Sequence, residues 1–318
     1  MPNLNVAVLG PSGYAKDIGK KGTTSDLTFY NLKKGELTVT LIEPTRYPER
    51  LAPLFYAVSM AKMAIVVVDE ITPTFGESVI MLQCAGVKDG YVILRNYLSQ
   101  EQLAPLIRGT VIEGYRFMED DKIVLRESLL EDVARVDSPQ DISTGSLPVD
   151  HFFSVRGIGT VALGSVALGS LHKHEEVRVL PGEKTAQIRS IQKHDEDFDS
   201  AGVGERTGMA LKGLDVEDLD RGVVLTTDKS IKATSTLSAG AELVKYWPSP
   251  LKPGMVLHLG HWMQYIPARV EAVEGSDWHR PVLTLTLDKP VVHPPGSRGI
   301  LTYPEGGKLK VVGTIELP

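Results

Sequence analysis

LPVDHFFSVRGIGTVALGSVALGSLHKHEEVRVLPGEKTAQIRSIQKHDEDFDSAGVGERTGMALKGLDVEDLDRGVVL, residues 147 to 225, carries the plainest structural pattern in the chain. Short alternating runs at His151 to Val155, Thr160 to Val166, Glu176 to Leu180, Ala186 to Gln192 and Glu205 to Leu211 are separated by Gly, Pro and Asp. Period-two alternation interrupted by frequent turn residues predicts a small all-β barrel or sandwich. Gly157, Gly159, Gly164 and Gly169 mark the expected sharp bends, since glycine inside strand pattern signals a corner or a close backbone approach.

Three blocks of this stretch carry a resemblance: PVDHFFSVRGIGTVALGSV, IRSIQKHDEDFDSAGVGERTGMALKG and DVEDLDRGVVL. In order and spacing they resemble the second domain of translational GTPases, the superfamily of EF-Tu and SelB, and archaeal SelB in particular. The resemblance implies a GTP-binding domain before the barrel and a second barrel after it. The expected fold is therefore a doubly wound α/β domain of the phosphate-loop kind over 1–140, a β-barrel over 147–228 and another over 234–318.

Composition agrees with a folded, soluble chain. The 318 residues are 42% hydrophobic and 23% charged, which is ordinary for globular proteins and long enough for two or three domains. No apolar run is long enough to span a bilayer, and MPNLNVAVLG lacks the regions of a signal peptide, so the expected location is cytoplasmic. The single Cys84 excludes an internal disulfide and a cysteine-based zinc site. Net charge is −4 over residues 1–146, −5 over 147–228 and +3 over 229–318. An acidic chain gets little nonspecific help in gripping nucleic-acid phosphates, so any such contact would have to be local; no DNA or membrane partner is expected.

Upstream, the run Leu4 to Leu9 ends at Gly10, as a phosphate-loop domain begins. Against G-x-x-x-x-G-K-[ST], Gly10 and Lys16 are kept, but Ala15 replaces the second glycine and Asp17 the Mg²⁺-holding hydroxyl. An ordinary turn with a coincidental lysine is the competing reading. Only Ile18 to Lys21 separate this loop from Gly22-Thr23-Thr24-Ser25-Asp26-Leu27, which resembles the segment after the first switch in SelB-like factors. The first helix is expected to be reduced to a few residues.

Where the family has D-x-P-G-H, this chain has Glu43-Pro44-Thr45-Arg46-Tyr47, so the residues that sense the γ-phosphate and orient water have no counterpart. Where it has N-K-x-D, the chain has Arg95-Asn96-Tyr97-Leu98, and no carboxylate selects guanine.

The surrounding scaffold reads as helix over Leu51 to Ala61, buried strand over Ala64 to Asp69, helix over Pro73 to Ala85 and strand over Gly90 to Leu94. A helix capped by Ser99 and Gln102 runs to Ile107, followed by a short strand at Thr110 to Ile112 and a helix at Ile123 to Val136. Asp137 to Ser146 and Thr226 to Thr236 read as linkers. Beyond them strands are expected at 241–246, 255–259, 266–273, 282–287, 299–303 and 309–317, in a rhythm similar to the family's third domain.

Other chemistry is thin. His172 and His174 have no third ligand in reach, and His258 and His261 are expected on opposite faces of a strand. The acidic run Asp195 to Asp199 lacks EF-hand order. Trp247, Trp262, Tyr265 and Trp278 are read as packing residues before base-stacking ones. No catalytic constellation, metal site or cofactor is expected.

The resemblance does imply one binding site, the pocket for the aminoacylated 3′ end of tRNA at the start of the second domain. By motif position it falls on Asp150, His151, Phe153, Gln192 and Arg206, with Gln192 standing where EF-Tu-like factors have a carboxylate and Arg206 where they have a small polar residue. The competing reading makes Phe153 barrel core and Asp150 a strand-start residue. Lys245, Lys252 and Arg269, in the one basic segment, are candidate phosphate contacts.

The expected function is thus an elongation-factor-like protein without GTP hydrolysis that binds tRNA, the ribosome or a paralogous factor. A GTP-binding factor with an unorthodox site, and a protein-interaction scaffold with no RNA role, remain as alternatives.

Overall fold

A computed structural model describes residues 2–138, 140, 142–307 and 309–318. The chain splits into two compact units, one holding residues up to 138 together with 306–311, the other holding the two barrels. The expected linker 137–146 includes 139 and 141, which lie outside the described residues.

In the first unit the strands are β1 (Asn3–Leu9), β2 (Lys20–Thr24), β3 (Leu27–Lys34), β4 (Leu37–Pro44), β5 (Met63–Val68), β6 (Asp89–Leu94) and β7 (Arg116–Met118). The helices are α1 (Ala52–Ser59), α2 (Pro73–Ala85), α3 (Gln100–Ile107) and α4 (Lys122–Ala134). The strands form one sheet in the order β2-β3-β4-β1-β5-β6-β7. From β4 to β7 it is parallel, and the β2–β3–β4 edge is antiparallel. The almost uninterrupted apolar runs of β1 and β5 follow from burial on both faces.

Helix ends are set by local chemistry. The Thr72 hydroxyl accepts from the Phe75 amide at 3.3 Å, Pro73 opens α2, and Gly86 closes it in the left-handed region at φ 70°. Ser99 and Gln102 form the expected capping box on α3. The strand expected at Thr110 to Ile112 is instead a 3-10 turn, Val111–Gly114, and the edge strand follows as β7. Val111 and Ile112 are β-branched, but the Glu113 and Tyr115 amides bond back to Thr110 and Ile112. That local pairing outcompetes strand propensity.

The second unit opens with β8 (Gly145–Val155), β9 (Gly159–Ser165), β10 (Leu168–His172), β11 (Glu176–Leu180), β12 (Thr185–Lys193), β13 (Glu196–Phe198), β14 (Ser200–Gly202), β15 (Arg206–Lys212) and β16 (Val224–Thr226). β8-β16-β11-β12-β15-β9 closes on itself through the β8–β9 pairing. Gly164 marks a close approach: a Cβ there would lie 2.3 Å from the Pro148 carbonyl. Inward-facing Leu147, Val149, Ala162, Val177, Ile188, Ile191, Met209 and Leu225 fill the core.

The third domain is a closed barrel, β17-β20-β19-β18-β21-β22. Its strands are β17 (Lys232–Leu243), β18 (Val256–His261), β19 (Gln264–Glu274), β20 (Val282–His293), β21 (Arg298–Thr302) and β22 (Val311–Glu316). β17 starts inside the stretch expected to be a linker and ends before the expected 241–246 strand does. Its exposed Lys, Thr and Ser residues hide the strand, which long pairing with β20 stabilises. Leu180, Val224, Ile231 and Val292 join the two barrels in an apolar contact, and Lys289 pairs with Asp220 at 3.0 Å. No helix among the described residues is long and apolar enough to cross a membrane.

Candidate functional site

β1 and β4 run parallel, with Ala7 opposite Ile42, so Glu43 at the end of β4 reaches the loop that leaves β1. Gly10 has φ 134°, and a Cβ on it would lie 2.4 Å from the Val67 carbonyl, so only glycine passes there. Instead of a helix, the loop enters a single 3-10 turn, Tyr14–Asp17. Tyr14, Ala15 and Ile18 are buried in one core with Leu129, Leu130 and Val133 of α4. The expected shortening of the first helix is what the structure shows.

The loop's amides converge on a side chain. The Gly13 and Ala15 N–H groups donate to the two Glu43 carboxylate oxygens at 2.9 and 2.6 Å. Glu43 is buried, and the Tyr30 hydroxyl also bonds to it. Burial pushes its carboxyl up from the ordinary value, with the Ala15 and Gly13 amides and Tyr30 pulling the other way. A concave set of backbone amides is an anion cradle, and here its occupant is a carboxylate of the chain itself. Lys16 and Asp17 are exposed beside it.

The neighbouring segment is tied down in the same manner. The Thr45 and Thr28 hydroxyls are 2.7 Å apart, and the Tyr47 hydroxyl donates to the Thr74 carbonyl at 2.9 Å. At the ends of β6 and β7, Arg95 bridges Asp69 and Asp120 at 3.2 Å each. Asp120 also accepts from the Tyr14 hydroxyl at 2.6 Å and pairs with Lys122, whose ammonium lies over the Tyr14 ring. Arg95, which stands where the resembled family has its base-reading segment, thus forms ion pairs with two partly exposed carboxylates.

In the first barrel the structure brings Asp150, His151 and Arg206 together. Arg206 holds Asp150 through two bonds, Nη2–Oδ1 at 2.7 Å and Nε–Oδ2 at 3.2 Å, while His151 Nδ1 lies 2.7 Å from Oδ1. Asp150 is 1% exposed. Burial works against its ionised form, but Arg206 and His151 outweigh that and hold the carboxyl below the usual aspartate value. Phe153 is 43% exposed rather than core, and Phe152 packs on the core instead. Asp150 sits within β8 beside a bulge, not at the strand's start. Gln192 is exposed and donates to Asp197 at 3.0 Å.

Lys245, Lys252 and Arg269 are all exposed on the second barrel, with Arg269 opposite Val256 in the β18–β19 register. Among the described residues no cluster of metal ligands forms; His172 pairs with Glu175 instead. His258 stacks on Tyr265 while His261 is buried near His293. Trp247 is buried against Tyr303, and Trp262 packs between the barrels. Sequence reasoning missed Glu43 as the occupant of the loop. The available signal was its place at the end of an expected strand, opening the segment compared with D-x-P-G-H.

An α/β domain carrying this loop, followed by two β-barrels, is the architecture of translation elongation factors. Residues 159–226 match the family model for elongation factor Tu domain 2. A crystal structure of SelB from Methanococcus maripaludis in complex with a GTP analogue superposes with a TM-score of 0.85 at 20% identity, over 100% of this chain and 79% of that one. The selenocysteine-specific elongation factor of Methanocaldococcus jannaschii is 25% identical over 80% of this chain, which spans 59% of that factor. An uncharacterized protein of the same organism is 33% identical over the full length of both chains. The chain belongs to the translational GTPase superfamily and, within it, to the family of that full-length relative.

Proposed function

We propose that this chain is a translation-factor-like binding protein that has lost GTP hydrolysis, works in the cytoplasm and engages tRNA, the ribosome or a paralogous factor through its barrels, in the three domains 1–140, 147–228 and 234–318. The observation that carries the reading is the Glu43 carboxylate bonded to the Gly13 and Ala15 amides. A nucleotide phosphate would have to displace a buried anion held by the groups that should cradle it. Arg95 adds to this, since its guanidinium is committed to Asp69 and Asp120 where a base would be read. Titration with Mg²⁺-GTP in a calorimeter is expected to give no binding at micromolar protein. A 1:1 isotherm tighter than about 10 μM, about −7 kcal/mol, would favour the working-GTPase alternative.

The binding role draws on the first barrel. Asp150, His151, Phe153, Gln192 and Arg206 are the candidate pocket for a tRNA 3′ end, with the exposed Phe153 ring as the stacking wall. Lys245, Lys252 and Arg269 are the candidate phosphate contacts. Because one relative is named a selenocysteine-specific elongation factor, selenocysteinyl-tRNA belongs in the panel beside other aminoacylated and uncharged tRNAs. Phe153→Ala is expected to weaken aminoacyl-tRNA binding by about 1–3 kcal/mol, the worth of one stacking contact. Lys252→Ala is expected to weaken charged and uncharged tRNA alike and to flatten the salt dependence. Filter binding at two salt concentrations reads both. Equal affinity for tRNA and an unrelated hairpin would leave the interaction-scaffold reading in place of this one.

A further inference from the structure

We propose that the carboxyl edge of the first sheet is a preformed docking surface for a protein segment that joins an apolar anchor to basic flanks. β5, β6 and β7 are parallel neighbours, so the loops that follow them leave from one edge. A line of charges ties the three loops together: Asp69 to Arg95, Arg95 to Asp120, and Asp120 to Lys122. The Asn96 side-chain amide adds a bond to the Asp69 carbonyl at 3.2 Å.

Two or three positions beyond each pinned residue stands an exposed apolar side chain. Ile71 follows Asp69 and is 42% exposed; Ile123 follows Asp120 and is 75% exposed, with Val124 at 49% beside it. Tyr97 follows Arg95 and is fully exposed. Asn96 and Tyr97 both have left-handed backbone, at φ 52° and 63°. For tyrosine that conformation is unfavourable and persists only where surrounding structure imposes it. Here the Arg95 ion pairs and the Arg95 N–H to Val68 carbonyl bond do so. The result is a large ring aimed at solvent from a rigid base.

Apolar side chains clustered on one edge, with acidic groups around them, mark an interaction site more often than a scatter of single exposed residues does. An aromatic anchor on a fixed backbone loses little entropy on binding. The charge around it selects the partner. Of the two basic residues of these loops, Arg95 is engaged by Asp69 and Asp120, and Lys122 by Asp120. Exposed Glu70, Glu119 and Asp121 leave the rim acidic. Such a rim repels a phosphate backbone and attracts lysine or arginine flanking an apolar contact. This surface is separate from the barrel sites, and the proposal does not depend on the RNA reading.

The test uses the full chain and a fluorescein-labelled amphipathic Lys/Leu peptide, with a Glu/Leu peptide and an oligouridylate as comparisons, read by fluorescence anisotropy. The Lys/Leu peptide is expected to bind the wild type, and the double variant Tyr97→Ser/Ile123→Ser to bind it at least tenfold more weakly with an unchanged melting temperature. The Glu/Leu peptide is expected not to bind. Absence of Lys/Leu binding, or equal binding by both proteins, would overturn the proposal. So would oligouridylate competing as effectively as the peptide, which assigns the edge to RNA. A concentration-dependent oligomer in sedimentation that the double variant abolishes would assign the edge to a second copy of the chain.

Discussion

Glu43→Ala is expected to lower the stability of the first domain by about 2 kcal/mol and to make that stability depend on dissolved anions. The variant leaves the Gly13 and Ala15 amides facing an emptied cradle, and an unmatched buried donor costs about 1–3 kcal/mol. Relief of a carboxylate that burial disfavours offsets part of that loss. Phosphate or acetate can then enter the cradle, and a ligand at a hundred times its Kd stabilises by about 2.7 kcal/mol. Thermal melts across a phosphate series should show the variant recovering toward wild type while the wild type stays flat.

Glu43 also predicts a pH effect with a definite sign. Its folded-state value is raised, so the native state holds this proton more tightly than the unfolded chain. Its contribution is fully present below the unfolded value and is lost as pH rises through the folded one. Glu43→Gln should remove that component. Anion-independent melts for Glu43→Ala would mean that the loop collapses once the side chain is gone, and that the carboxylate does not stand in for a phosphate.

Asp150→Asn and Arg206→Met are each expected to destabilise the first barrel by about 3–5 kcal/mol, because removing one partner of a buried pair strands the other charge. The geometry supports the upper part of that range: Asp150 is fully enclosed and its bond to Arg206 is bidentate. The double variant should be less destabilised than the sum of the singles, since residues in one network couple strongly. Urea midpoints at constant slope measure all three. Because the Asp150 carboxyl is held below its unfolded value, its stabilisation is present above that value and disappears as pH falls through the folded one. Asp150→Asn should therefore flatten the acid limb of the stability curve. Single-variant losses under about 1 kcal/mol would show that water screens the pair.

Both pairs lie far apart in sequence, and that separates what could be read in advance from what could not. Strand alternation placed β9, β11, β12 and β15 of the first barrel, because a strand's two faces meet different solvents and each residue reports its own side. Local chemistry placed α2 and α3, since Pro73, Ser99 and Gln102 act within a turn of themselves. Short β10 and β16 gave no such signal. Three residues, or a run broken by Gly169, carry no alternation, and only pairing with neighbours makes them strands.

Residue identity alone shows that Asp17, Tyr47 and Leu98 stand at the positions where the resembled family pattern has a hydroxyl, a histidine and an aspartate. It also named Asp150, His151 and Arg206 as neighbours in a candidate site, though only through resemblance. Only the packed structure shows what the loop amides and Arg206 bond to. Glu43 meets Gly13 across 30 positions, and Arg206 meets Asp150 across 56. Those meetings depend on β4 lying parallel beside β1 and on β9 pairing with both β8 and β15. Strand pairing is a non-local choice made by the packed core, and no window of sequence contains it.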